Sequence, residues 1–551
     1  MASRWSVVLA LSLLFVADGA RGREMALTDL IAALQGQGYA IIYGSGLVHS
    51  GQRVDVERID LAALQQALPP LGLALEQRDG AWVITRAEPV VPAEPPPAVT
   101  PVVAHDELET VIVTGSLHRF PYIGPTSSAF SFGPEDLTAV PSLGSDDLRA
   151  ALRLPGMSSV GVSAKPQIRG GLKDELLVMQ DGVELLEPFH LADYHSAYSS
   201  IDHHTIESLD LYTGGFPSRY GNRMSGVMDI RNDWERDEYD TDIGVSSFAN
   251  FLHTRGRFGQ QRPAHWLVSL RQGDLSDLTD YIQARSGEPK YADAGARMNV
   301  ALSDSTEVTF GGVYAEDDIE FQDEEEFATS RVKTRYFWGS MGWRHAEHLR
   351  SRFTLSWLKL KRNKEQASFE IDEEDPDKGG FLDHQQEVQR LALRHDWSAL
   401  YRGALLEFGW QAENNRGEYI HRSRIDRGEL ADILGTEAEV ERDIREDPEG
   451  WSGGAYLQAE WELTPDLVIQ PSLRWDVQDY YSDAGSEQQV SPRLGLAWQL
   501  NEELRARLSV GRFHQPEGIQ ELQVIDGITH FFPPQHSDQA CLLYTSPSPR
   551  D

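Results

Sequence analysis

The stretch AYLQAEWELTPDLVIQPSLRWDVQ limits the possible folds more than any other part of the chain. Ala455, Leu457, Ala459, Trp461 and Leu463 alternate with Tyr456, Gln458, Glu460 and Glu462. After a Thr-Pro-Asp turn, Leu467, Ile469, Pro471, Leu473 and Trp475 alternate with Gln470, Ser472, Arg474 and Asp476. The next pair repeats the plan. Leu494, Leu496, Trp498 and Leu500 share one face, an Asn-Glu-Glu turn follows, and Leu504, Ala506, Leu508 and Val510 resume. Arg493, Gln499, Arg505 and Arg507 lie opposite. Side chains alternate across a strand, so a period of two marks strands with one apolar and one polar face. The short turns make neighbouring strands antiparallel.

Alternation alone fits any half-buried antiparallel sheet. Two further features point to a closed sheet in a membrane. Strands of about ten residues recur over almost the whole C-terminal half, with Trp266, Tyr336, Trp343, Trp357, Trp397 and Trp410 near strand ends, as in aromatic girdles. Connections also alternate in length. Short turns fall near 303–307, 344–351, 397–403, 464–466 and 501–503, and long polar loops near 272–294, 316–334, 361–387, 413–454 and 478–490. A membrane barrel has this asymmetry, with tight periplasmic turns and long outer loops. TDIGVSSFANFLHTRGRFG supplies a first strand pair, and about thirteen strands are expected between 235 and 540.

Composition supports this reading. Acidic residues (86) outnumber lysine and arginine (50), for a net charge of −36, which argues against a nucleic-acid partner. A single cysteine, Cys541, precludes an intrachain disulfide. MASRWSVVLALSLLFVADGA has a basic residue, an apolar run and small residues in the order of a secretory signal, so residues 1–22 are read as a signal peptide. No other apolar run is long enough for a spanning helix, and a closed barrel remains the route into a bilayer.

Upstream of the sheet the chain is modular. In residues 24–87, Leu27, Leu30, Ile31 and Leu34 have helical spacing, LAALQQALPPLG is a second helix stopped by prolines, and LALEQRDGAWVITR is a hairpin turning at Asp79-Gly80. This unit resembles the STN domain found at the N-terminus of secretins and TonB-dependent receptors. Residues 88–105 are a proline-rich tether, extended and coreless. Residues 106–116, DELETVIVTGS, are strand-formers with no sheet of their own. Residues 117–234 read as a second globular unit, in which GSDDLRAALRLPGM is a capped helix and glycine-punctuated strand pairs follow.

Within that unit, IRGG, DGVELLEPFH and GGFPSRYGNRMSGVMDI occur in the order of the plug domain of TonB-dependent outer-membrane receptors. Arg169, Gly170, Asp181, Gly182, Gly214, Gly215, Tyr220 and Gly221 fall on that family's recurrent plug positions, where the resemblance implies a shaping role. Glu109, Thr110, Val111, Ile112 and Val113 resemble the TonB box, a peptide that adds a strand to the edge of a TonB sheet. The expected fold is therefore an α+β STN-like module and a plug, followed by a transmembrane antiparallel β-barrel.

Such receptors have twenty-two strands. The sequence is therefore expected to be C-terminally truncated. Residues 541–551 lack a strand pattern, resemble translated sequencing-adaptor sequence and read as an artefactual tail.

The resemblance implies an outer-membrane receptor, its N-terminal region periplasmic. It would take up a scarce siderophore-, cobalamin- or glycan-like solute with TonB as partner. Residues 24–87 would contact an inner-membrane anti-sigma regulator. A receptor that mainly signals, and a passive secretin-like or porin-like channel component, are the alternatives. No G-x-S-x-G, H-E-x-x-H or phosphate-binding loop occurs, so no catalytic role and no cofactor is expected. The acidic run Glu316 to Phe327 and the later IDEEDPD are read as solvated outer loops. His190, His195, His203 and His204 are read as plug-loop histidines, with His190 and His195 the weak cargo-binding candidates. No metal site is assigned, since His203 and His204 would diverge on a strand.

Overall fold

The computed structural model describes residues 23–86 and 128–545, apart from internal stretches of which 139–145, 233–238, 277–286, 369–379, 427–434 and 481–485 are the longest. The signal peptide, the proline-rich tether, Glu109 to Val113, the Asp79-Gly80 turn and residues 546–551 lie outside the described residues. The chain divides into two compact units, Met1–Asp106 and Glu107–Asp551.

In the first unit the helical spacing is realised. The helix Leu27–Gly36 fully buries Leu27, Leu30, Ile31 and Leu34. The second helix, Leu61–Ala67, is capped by Asp60, whose side chain accepts from Ala63 N at 2.8 Å. Leu73–Arg78 and Ala81–Arg86 pair antiparallel, and Ile41–Tyr43 joins the latter in parallel. Leu64, Leu68, Leu73 and Ile84 close the same core.

The second unit begins with a five-stranded mixed sheet, in the order Val183–Glu184, Leu176–Gln180, Gly226–Asn232, Ile206–Gly214, Ser128–Phe132. Only the second and third run parallel. This is the plug. Leu209, Leu211, Met228 and Ile230 fill its core. The expected capped α-helix is instead a 3-10 helix, Asp147–Arg153. Asp146, at its N-cap, makes no capping bond, because its carboxylate takes Ser199 N at 2.7 Å and Ser199 Oγ at 3.1 Å.

A fifteen-stranded antiparallel sheet follows, from Asp240–Val245 to Gln535–Thr545. That is two more strands than the thirteen expected, and many are far longer than ten residues. Glu326–Ala346, Leu349–Ser368, Phe381–Tyr401 and Ala404–Asp426 have 20 to 23 residues each. Much of what reads as long polar loop is therefore hairpin. Only the lipid-facing part of a strand needs apolar alternation. Beyond it both faces are wet, and the ladder continues on backbone pairing and cross-strand charges. Lys333–Glu316 (2.5 Å), Lys359–Glu387 (2.5 Å), Arg416–Glu449 (2.9 Å) and Arg445–Glu418 (3.3 Å) are such pairs. The last strand also runs through Cys541 to Thr545, paired with Leu504–Gln515, where the sequence shows no strand pattern. Backbone pairing carries it.

The sheet inverts the burial of a soluble protein. Leu457, Trp461, Leu473, Trp475, Leu494 and Trp498 are exposed, while Tyr456, Gln458, Arg474, Asp476 and Arg493 on the other face are buried. Such a sheet turns its apolar face to lipid and its polar face to the plug. Trp266, Trp343, Trp397, Trp461 and Trp498 lie close to short turns, on one rim. Tyr336 is not part of a girdle. It points inward, is 2% exposed, and its hydroxyl accepts from Leu186 N (3.1 Å) and Glu187 N (3.3 Å) of the plug. Among the described residues no helix is long and apolar enough to cross a membrane.

Candidate functional site: the seam between plug and wall

The plug-motif residues meet the wall. Asp181 and Gly182 both have positive φ (52° and 86°) and form the two-residue turn between Leu176–Gln180 and Val183–Glu184. A hairpin turn of this kind favours Asp-Gly, because it needs left-handed backbone at both positions. The Asp181 carboxylate accepts from Asn232 N at 3.1 Å and forms an ion pair with Arg297 of the wall at 2.7 Å. Arg169 and Gly170 make another left-handed corner, and Arg169 Nη2 donates to Thr213 at 3.2 Å. Gly214 ends the strand Ile206–Gly214 beside Arg169, and Gly215 after it lies against Ser509 of the wall. Tyr220 is buried, its hydroxyl 2.7 Å from Asp229. These residues form turns and buried contacts of the plug, and Asp181 also pairs with the wall.

The tightest docking is at Phe216 to Gly221. Arg493 Nη1 donates to the carbonyls of Phe216 (3.0 Å), Pro217 (2.9 Å) and Tyr220 (3.1 Å), with its guanidinium over the Phe216 and Phe513 rings. Arg474 donates to the Ser218 and Arg219 carbonyls (3.3 Å each), and Arg394 to that of Arg219 (3.2 Å). Ser218 N donates to Gln458 at 3.0 Å, and Arg219 pairs with Glu407. Carbonyls of a buried turn require donors, and wall arginines supply them. The sequence reading places Arg474 and Arg493 on the polar face without giving them a role. Arginine on the inward face of a barrel strand is the signal that could have found them.

A second contact centres on His190. Its ring is buried between two wall carboxylates, with Nδ1 2.6 Å from Asp317 and Nε2 3.0 Å from Asp293, and it packs 4.5 Å from the Tyr291 ring. Asp317 also takes Leu191 N at 2.9 Å. Asp293 is shared with Arg271 (2.7 Å), which donates to Ser199 O at 2.5 Å. Burial works against a charged ring, but the Asp317 and Asp293 carboxylates outweigh it and raise the His190 pKa. The acidic run is thus not simply a solvated loop. Glu316 to Gln322 belong to the strand Thr306–Gln322, and Asp317 is buried because its side chain falls on the inward face. His195 lies outside the described residues.

His203 and His204 do not diverge. They sit in a 3-10 turn, His203–Thr205, which brings their ring centroids to 3.8 Å. The Asp202 carboxylate caps the turn at His204 N (3.1 Å), meets His204 Nδ1 at 2.8 Å and accepts from Ser269 of the wall. Burial, then the neighbouring His204, pushes the His203 ring down to about 3.

On the long-connection side, a polar cavity of about 440 Å³ opens between plug loops and the segment that follows Gln515. Lys165, Asp174, Glu187, Asp193, Arg362 and Glu517 are among its lining residues. Lys165 and Asp174 form an ion pair at 2.9 Å, and Asp193 accepts from Ser330 of the wall at 2.5 Å.

Residues 325–540 match the family model "TonB dependent receptor-like, beta-barrel". No curated protein matches the sequence. Solved structures share the fold, three of them as follows. The siderophore receptor PiuA from Acinetobacter baumannii is 15% identical, with 76% of this chain and 70% of that one covered and a TM-score of 0.53. The ferric yersiniabactin uptake receptor FyuA from Yersinia pestis is 13% identical, with 77% and 70% covered and a TM-score of 0.55. FpvA of P. aeruginosa, bound to a heterologous pyoverdine, is 12% identical, with 95% and 74% covered and a TM-score of 0.55. Residues 325–540 therefore match the β-barrel domain of the TonB-dependent receptors, an outer-membrane family, and the fold sets a plug sheet beside a barrel-type sheet.

Proposed function

We propose that this chain is an energised uptake receptor. A scarce solute enters the cavity of about 440 Å³ beside the long connections, and the plug yields inward when TonB engages Glu109 to Val113. One observation carries the reading: the plug is a separately hydrogen-bonded sheet, held to its wall by side-chain contacts, polar at Arg493, Arg474, His190 and Asp181 and apolar where Phe216 meets Phe513, with no strand pairing between the two among the described residues. Val111, Ile112 and Val113 favour the extended backbone that strand addition needs. The solved relatives named for siderophores put ferric chelates first among solutes to test, with cobalamin and glycans after them. The compact α/β unit within Met1–Asp106 adds a signalling arm, which would contact an anti-sigma regulator in the periplasm.

The test is Ile112→Pro in cells. Proline removes a backbone donor and blocks strand addition. Energised uptake should fall to background while surface binding of the solute persists. Unchanged uptake would instead favour a passive channel. Deleting residues 24–87 should abolish transcriptional induction and leave uptake intact.

A further inference from the structure

We propose that Asp202, His203 and His204 of the plug, together with His253 of the wall, form a site for a divalent transition-metal ion that staples plug to wall. Asp202, His203 and His204 each offer a ligand atom within 4.8 Å of the others. His253 lies on the strand Asn250–Phe258, facing inward, with its ring 6.1 Å from that of His204. It is 1% exposed; Nδ1 is 3.4 Å from Asp242, while Nε2 is buried with no hydrogen-bond partner. A buried imidazole nitrogen left without a partner is costly, and a metal ion would satisfy it.

The surroundings are those of a ligand set. The Asp202 contact to His204 Nδ1 leaves Nε2 as the free lone pair, the arrangement by which a carboxylate orients a metal-bound imidazole. Phe251 stacks on His204 at 4.4 Å and restrains its ring. Arg271, a positive charge that acts on Asp202 and His203, is already paired with Asp293 at 2.7 Å. Three imidazole donors, one of them oriented by a carboxylate, suit zinc, nickel or copper rather than calcium or magnesium. The ligands come from two bodies, so an occupied site would add a bond that must break before the plug can move.

The test uses the purified full chain, with Zn²⁺ in calorimetry and Co²⁺ in visible absorption. One ion per chain is expected, with cobalt bands of nitrogen ligation. His253→Gln and the double variant His203→Ala/His204→Ala should each weaken binding about tenfold or more, and Asp202→Asn about 10- to 100-fold. His384→Ala removes one ring of the separate His384–His421 pair, 5.7 Å apart, and should leave binding unchanged. Thermal unfolding of each variant separates loss of ligand from loss of fold. The proposal fails if the chain binds neither ion, or if His384→Ala weakens binding as much as the others. A folded His253→Gln variant with full affinity would overturn the staple.

Discussion

Gly221 of the plug lies directly on the Arg474 guanidinium of the wall, so close that a methyl group at position 221 would overlap Nε, Cζ and Nη2. Arg474 is held in place by Asp476, with Nη2 2.6 Å from Oδ1, and cannot easily swing aside. Gly221→Ala should therefore act as overpacking at the seam, at about 1–3 kcal/mol. Limited proteolysis should show the plug cut faster, with the wall strands still protected.

Arg493 reaches three carbonyls, of Phe216, Pro217 and Tyr220. Arg493→Met keeps much of the contact with Phe216 and Phe513 but removes the donors. Buried acceptors without donors cost about 1–3 kcal/mol. Hydrogen exchange should quicken at residues 216–221 and stay unchanged in the plug sheet.

His190 gives the seam a pH dependence whose sign is fixed. Its folded pKa is raised by Asp317 and Asp293. The contribution to stability is therefore complete below the ordinary histidine value, about 6.5, and is lost as pH climbs through the raised value. Arg271, which also faces Asp293, keeps its charge throughout. Unfolding midpoints should fall above neutral pH in the parent, and that slope should vanish in His190→Gln. An equal slope in both would assign the effect to another group.

Leu457 and Gln458 are neighbours with opposite surroundings, 58% and 3% exposed. Leu457→Arg places a charge on the lipid side and should cost about 2–4 kcal/mol near the bilayer midplane, read as lost membrane insertion. Gln458→Leu should insert normally and loosen the plug, since Gln458 holds Ser218 N and Glu407.

The sequence makes legible what has a period or a turn rule. Leu27, Leu30, Ile31 and Leu34 enter the core as their spacing requires, and the Asp181-Gly182 turn takes its left-handed backbone. The inside and outside of strands such as Ala455 to Leu463 also follow from alternation. Long-range polar pairing is invisible in one dimension. His190 and Asp317 are 127 positions apart, and nothing local marks them as partners. His203 and His204 are misread for a related reason: their geometry depends on a 3-10 turn held by Asp202, not on the strand that follows. The long hairpins escape because alternation ends where lipid ends, while backbone pairing does not.

Ser128–Phe132 is an edge strand of the plug sheet, paired among the described residues with Ile206–Gly214 alone. Its first rung, Ser128 with Gly214, is separated by a register shift from the next, Ala129 with Tyr212. A pull on Ser128 from its N-terminal side would load that rung first among the described pairs. The sheet then has a mechanical order built into its connectivity. It unzips from one corner, and the strand bearing the load first has a single neighbour to lose, so extraction can begin while the interior of the sheet is still whole.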